Sequence, residues 1–287
     1  MNQTRGKSRR TSGGRTGTSK SFSANGHALR DYHSLLFKSK ELSHNRVIVS
    51  VPMTGSVRAE WAIARWGQII PCNWSHSDHL SWMNQYTPLG YAVAEARNLA
   101  VEQAVNSKFE WLFFIDSDVV LPPDCFVKMN QYMLSKKYPV VAGLYYAKCH
   151  PPEPLIYRGR GNGFYNNWTM GDKVMVDGIP MGCTLIHVSV LRAMYDDAPE
   201  YKVSNHRSIR KVFDTPFGTF QDPEKKGWNT FGGTEDLAWC NRVIAGKYLA
   251  KAGWPKLAKE KYPFLLDTSI FCRHITPDGQ VYPIGVG

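Results

Sequence analysis

Apolar positions along this chain follow two rhythms. Short β-branched or aromatic runs end at turn signals, while longer stretches repeat every three to four residues. Arg46–Val51 (RVIVSV) is of the first kind, is halted by Pro52, and reads as the first strand. Residues 92–106 place Val93, Ala96, Ala100 and Ala104 at helical spacing with Leu99 beside them, which predicts a helix. Trp111–Ile115 drives five apolar residues into Asp116-Ser117-Asp118, and two prolines follow at 122 and 123. An apolar run of that length, bounded by turn signals, suits a strand buried on both faces. A helix is predicted over 124–136, because prolines and Asp124 at its start fit the missing N–H groups and the dipole there. Val140–Leu144 (VVAGL) supplies a further strand. This alternation predicts an α/β fold, with a mostly parallel central sheet flanked by helices.

The second half is less regular. Residues 150–172 are turn-rich and read as a hairpin or loop crossing the sheet edge. Met175–Ile186 has room for one or two strands, interrupted by Gly178, Pro180 and Gly182. Residues 214–233 (DTPFGTFQDPEKKGWNTFGG) are too polar for core and too long for an ordinary connection, so they are expected to form a mobile cover over a site. After them Thr234 is a plausible N-cap for a helix whose apolar face carries Leu237, Cys240 and Ile244. No internal repeat is visible.

Charge divides the chain. The net charge is +11, and residues 1–30 supply seven basic residues and no acid. That segment is rich in Gly, Ser, Thr and Arg, cannot offset its own ordering entropy by burial, and is expected to be a disordered basic tail. It is either a solvated tail or a contact for nucleic acid or another acidic surface. The body is expected as one domain over 45–277, with 278–287 as a C-terminal tail. Apolar content of 43% suits a globular body with a sizeable core. No apolar stretch approaches the roughly 20 residues of a membrane-spanning helix, and no secretory signal is evident, which makes the cytoplasm the expected compartment. Six scattered cysteines without a C-x-x-C pair suit neither a zinc cage nor a disulfide framework.

Three features carry candidate chemistry. Asp116 and Asp118 leave the end of a buried strand, where α/β proteins place their ligands. They either reach solvent in a loop or hold a hard divalent cation with open positions for phosphate oxygens. Glu235 and Asp236 open the helix after Gly232-Gly233, where the dipole alone favours acids but a catalytic acid is equally placed. His274 follows an apolar run near the chain's end, and beside carboxylates an imidazole suits Mn²⁺ better than Mg²⁺.

In combination these segments resemble the GT-A fold glycosyltransferases, in particular family-2-like enzymes that use nucleotide-sugar donors. The likeness covers most of 45–277 and rests on VSVPMTG, the helix carrying EARN, FFIDSD, VDGIPMGCTLI, TED and the DTSIFCRH segment. It implies that Val51, Pro52 and Thr54 line the pocket for the donor's base and ribose, and that Arg97 reaches the nucleotide. It implies a metal, Mn²⁺ or Mg²⁺, on Asp118 and His274, with Asp116 on the ribose or a metal-bound water and Ser117 between the two acids. Gly182 and Cys183 would bring backbone close to the donor sugar. Asp236 would be the base of an inverting transfer to an acceptor of unknown identity, with Glu235 positioning sugar or acceptor. An early acid that reads the nucleobase has no clear counterpart, Asp78 being a poor match, so the base stays open. Two other readings remain: a nucleotidyltransferase, or a nucleic-acid-binding protein on an inactive body of this fold.

Overall fold

The computed structural model describes residues 47–284 apart from 54, 72–73, 75–83, 87, 160–163, 204–206 and 222–227. The basic tail and Thr54 therefore lie outside the described residues. The first half runs β1 (Val47–Ser50), α1 (Ala59–Trp66), β2 (Asn84–Tyr86), α2 (Val93–Asn106), β3 (Trp111–Ile115), β4 (Val119–Val120), α3 (Cys125–Ser135) and β5 (Val140–Leu144). The second half continues with β6 (Lys173–Val176), β7 (Cys183–His187), α4 (Val188–Asp197), β8 (Glu200–Val203), β9 (Arg207–Arg210), β10 (Phe217–Gln221) and β11 (Trp228–Gly232). It closes with α5 (Glu235–Ala245), α6 (Tyr248–Lys251), β12 (Phe264–Phe271), β13 (Arg273–Ile275) and β14 (Val281–Tyr282).

The central sheet has seven strands in the order β2-β1-β3-β7-β5-β12-β6. β2, β1, β3, β5 and β12 share one direction, whereas β7 and the edge strand β6 run against them. β7 is inserted between β3 and β5, antiparallel to both. Apolar side chains alternate between the two faces and meet helices on each. Ile48, Leu112 and Phe114 pack with Ala100 and Ala104 of α2, Leu191 of α4 and Trp239 of α5. Val49, Trp111, Phe113 and Ile115 pack on the other face with Trp61 of α1 and Phe126 and Met129 of α3. All five residues of β3 are buried, as a strand covered on both faces requires. Among the described residues no helix is long and apolar enough to cross a membrane.

Several expectations change in detail. Met175–Ile186 resolves into two strands with opposite neighbours, β6 and β7, separated by the turn through Gly178, Pro180 and Gly182. The expected cover over 214–233 contains an antiparallel hairpin, β10–β11, with Phe217 opposite Gly232 and Gln221 opposite Trp228. Its alternating Phe, Thr and Asn positions satisfy the backbone as a ladder rather than leaving an open loop. From 278 onward, expected as tail, the chain supplies β14, which pairs with β13.

One irregularity positions the site. β12 runs beside β5 until Asp267 faces Gly143; the register then shifts, and Phe271 faces Leu144. The bulged residues are held by Ser269 N donating to Asp267 Oδ1 (2.9 Å) and by Thr268 Oγ1 donating to Thr169 O (3.0 Å). A bulge bends its strand, and here the chain leaves the central sheet to pair β13 with β4, setting His274 opposite Val119. Gly143 permits the bulge: a Cβ there would stand 2.9 Å from both Cγ2 and the carbonyl oxygen of Ile270 and 3.0 Å from Cys183 Sγ. Gly143→Ala should destabilise the fold by about 1–3 kcal/mol, as overpacked cores do. A lowered urea midpoint would show it.

Candidate active site

The corner Asp116-Ser117-Asp118 closes the carboxyl end of β3 and is fixed by its backbone. Asp116 N donates to Gly182 O (2.9 Å), and Trp61 Nε1 of α1 donates to Asp116 O (2.8 Å). Ile275 N of β13 donates to Asp118 O (2.8 Å). Three distant segments therefore hold one turn.

Behind the corner lies Arg97, on α2 and 2% exposed. Its Nη2 donates to Asp116 Oδ1 (3.0 Å) and Oδ2 (3.2 Å), and its Nε donates to Glu235 Oε1 (3.1 Å). Burial pulls the guanidinium pKa down, but Asp116 and Glu235 push it up further, so it stays charged. Arg97 was expected to reach a nucleotide. Instead it is enclosed by carboxylates and an aromatic face, with its carbon Cζ 5.1 Å from the Phe114 ring centroid. The neighbouring Asn98 closes a second tie: Nδ2 donates to Phe213 O (2.9 Å) and Oδ1 accepts from Phe213 N (2.6 Å).

The two acids of the corner differ. Burial raises the Asp116 pKa, helped by the charges of Asp118 and Glu235 and opposed by Arg97. Burial also acts against the Asp118 carboxylate, yet His274 and Lys148 outweigh it and hold the pKa at about 2. Lys148 Nζ lies 2.5 Å from Asp118 Oδ2, and His274 Nε2 lies 3.4 Å from the same oxygen. His274 Nδ1 is 2.9 Å from Tyr146 O, a carbonyl that can only accept. The Tyr146 carbonyl thus fixes the ring so that Nε2 is the atom aimed at Asp118, the arrangement by which a backbone carbonyl orients a metal-binding histidine.

The expected three-donor set of Asp116, Asp118 and His274 is not formed. Among the described residues no group of three or more His, Cys, Asp or Glu is arranged to hold a metal ion, because Asp116 is diverted to Arg97. Two of the three do meet. A carboxylate oxygen and an imidazole nitrogen facing one another suit Mn²⁺ or Mg²⁺, provided a ligand or water completes the shell.

Two clefts join at Ser117–Asp118. One, of about 210 Å³, is lined by Pro52, Met53, Tyr91, Val93 and Asp116 as well as the corner. The other, of about 400 Å³, is lined by Ser56, Arg58, Lys148, Thr276 and Pro277 among others. Val51 is fully buried beneath the first cleft's loop. Gly182 packs directly on the corner, since a Cβ there would stand 2.6 Å from the Tyr145 hydroxyl and 2.9 Å from Asp116 Oδ2. Its N–H donates to that hydroxyl (2.9 Å). Cys183 pairs with Ile115 in the sheet, and its thiol is core, 3.8 Å from Cys125 Sγ.

Glu235 and Asp236 open α5, as its first turn. Glu235 is turned inward to Arg97, whereas Asp236 is partly exposed, its Oδ1 accepting from Leu237 N (2.7 Å). Burial raises the Asp236 pKa, and Glu235 beside it adds to the rise. Tyr165 and Trp168 pack partly buried against the core; the side chains of Trp228 and Phe231 lie outside the described residues. Lys148 and Tyr145 were missed from sequence. The available signal was their place just past the carboxyl end of β5, the same sheet edge as the corner.

No family model matches the chain, and neither does any curated protein. Among solved structures it is similar to A197 from STIV, with 17% identity, 82% of this chain and 92% of that chain covered, and a TM-score of 0.47. It is also similar to S. aureus TarS in complex with UDP-GlcNAc, at 13% identity over 54% of this chain and 48% of that chain, TM-score 0.34. A third is a putative glucose-1-phosphate thymidylyltransferase from Bacillus anthracis in complex with a sucrose, at 11% identity over 54% and 76%, TM-score 0.31. This chain thus spans about half the length of that TarS chain.

Removing Arg97 leaves the buried Glu235 and the partly buried Asp116 without their cation. Arg97→Met should cost about 3–5 kcal/mol, the range for breaking one partner out of a buried ion pair. Gly182→Ala should cost about 1–3 kcal/mol through overpacking against Tyr145 and Asp116. Chemical denaturation reads both losses.

Proposed function

We propose that this chain is a glycosyltransferase of the GT-A fold. It would move a sugar from a nucleoside-diphosphate donor to an acceptor hydroxyl with inversion. The observation that carries this reading is the meeting, at one sheet edge, of Asp118 from the middle of the chain and His274 from near its end with the Arg97-bound Asp116, and with Asp236 next to the Arg97-bound Glu235.

The base and ribose would occupy the smaller cleft, against Pro52, Met53 and Tyr91, with Asp116 accepting from a ribose hydroxyl. Mn²⁺ or Mg²⁺ held by Asp118 and His274 would neutralise charge on the leaving diphosphate. Gly182, lacking a side chain, lets Asp116 and Tyr145 pack directly on its backbone and would keep Asp116 in place under the donor. Glu235, fixed by Arg97, sets the start of α5 and with it the position of Asp236. The acceptor oxygen attacks the anomeric carbon as the bond from that carbon to the diphosphate oxygen breaks. The bonding pair leaves with the diphosphate, and the acceptor proton passes to an Asp236 carboxylate oxygen. The hairpin β10–β11 precedes α5 directly and would limit water at the donor.

Incubation with candidate nucleotide sugars and Mn²⁺ tests the reading through its products. Nucleoside diphosphate release coupled to glycoside formation is expected. Release of pyrophosphate would overturn it in favour of nucleotidyl transfer.

Asp236→Asn should leave donor affinity within about twofold and lower transfer by about 10²–10⁴, the usual contribution of a general base. The base works deprotonated, and burial raises its pKa. Activity should therefore fall, as pH drops, at a midpoint above the ordinary aspartate value of about 4. A profile with its acid limb at or below that value would remove Asp236 from the role.

A further inference from the structure

Lys148 stands where the proposed metal and donor would meet. Its ammonium lies 2.5 Å from Asp118 Oδ2, the same oxygen that faces His274 Nε2. Its backbone belongs to the segment whose Tyr146 carbonyl orients His274 and whose Tyr145 ring meets His274 edge-on at 5.2 Å. Its side chain also lines the larger cleft, with Arg58 as a second cation there. Both members of the Lys148–Asp118 pair are partly exposed, 27% and 41%. Such a pair exchanges partners at small cost, because solvent screens it.

Resting on the sugar-transfer reading above, we propose that Lys148 is a resident counter-ion that couples cation binding to phosphate binding. It occupies Asp118 Oδ2 in the ligand-free chain. A divalent ion arriving at Asp118 and His274 displaces it, and the freed ammonium turns to a phosphate oxygen of a diphosphate in the Arg58-lined cleft. Like charges drive the exchange: an ammonium and a divalent cation on one carboxylate oxygen repel, and the repulsion is strong at contact distance outside bulk water. The anion then restores Lys148 with a partner. Ion and diphosphate each favour the other's binding, and linkage makes the effect reciprocal. Lys148 is thus a positioning residue for the donor's phosphates and a competitor for the metal's ligand.

The experiment is a titration of Mn²⁺ alone, followed by titration of inorganic pyrophosphate at saturating Mn²⁺, into the full chain and its Lys148→Met and Lys148→Arg variants. Removing the ammonium should tighten Mn²⁺ binding by about five- to tenfold and weaken pyrophosphate binding by a similar factor, the scale of ordinary site coupling. Lys148→Arg should stay near the wild type in both, which separates loss of charge from loss of fold. If Lys148→Met binds Mn²⁺ within twofold of wild type, or holds pyrophosphate equally well, the coupling role is overturned while the cation site stands. If none of the three proteins binds Mn²⁺ at millimolar concentration, the cation site itself falls, and this proposal with it.

Discussion

A single buried guanidinium organises this molecule's candidate site. Arg97 reaches from the sheet-facing side of α2 to Asp116, 19 residues on, and to Glu235, 138 residues on. Each group would be costly alone in the core, and together they offset one another. The consequence is geometric. The end of β3 and the start of α5 must stay within one arginine's span, so a loop acid and a helix acid distant in sequence hold a fixed relation. One cation faces more than one acid, and the surplus negative charge, with burial, raises the carboxyls of Asp116 and Asp236.

Sheet topology does the rest. β3, β5 and β12 point the same way and end at one edge, so Asp118, Lys148 and the approach to His274 gather there. β7 runs the opposite way between β3 and β5 and therefore begins at that edge, which brings Gly182 against Asp116. The bulge in β12 lets the chain leave the sheet at the height where His274 can join β4. Without Gly143 under Ile270, that departure would meet a methyl group.

The legible parts of this fold were those whose signal is local. Trp111–Ile115 followed by Asp116 and Asp118 declares a buried strand and an acidic exit with no knowledge of any partner. Val140–Leu144 and the α2 helix are equally self-contained. His274 was legible only as a candidate, since its meaning depends on Asp118, and the bulge that delivers it is set by packing around Gly143. Arg97 misled for the same reason. A buried arginine looks like a ligand-binding one until the two carboxylates that enclose it are placed. The hairpin within 214–233 was not legible, because the composition there is turn-like and cross-strand pairing of Phe217 with Gly232 carries no local mark. Lys148 is one lysine among many until β5 is seen to end at the same sheet edge as β3.

The acidic triplet is therefore two different residues rather than a pair. Asp116 gives both oxygens to Arg97 and its backbone to Trp61 and Gly182, so most of its bonding ties the body together. Asp118 gives its backbone to β13 but its carboxylate to the partly exposed Lys148 ammonium, with His274 Nε2 beside it. A carboxyl held at about 2 stays ionised throughout the neutral and mildly acidic range, and its contribution to stability, present above the unfolded value of about 4, is lost only as pH falls through that lower value. Such a group seeks a cation at all times. What changes between states of the site is which cation it has, and the side chains around Asp118 make Lys148 the one it holds first.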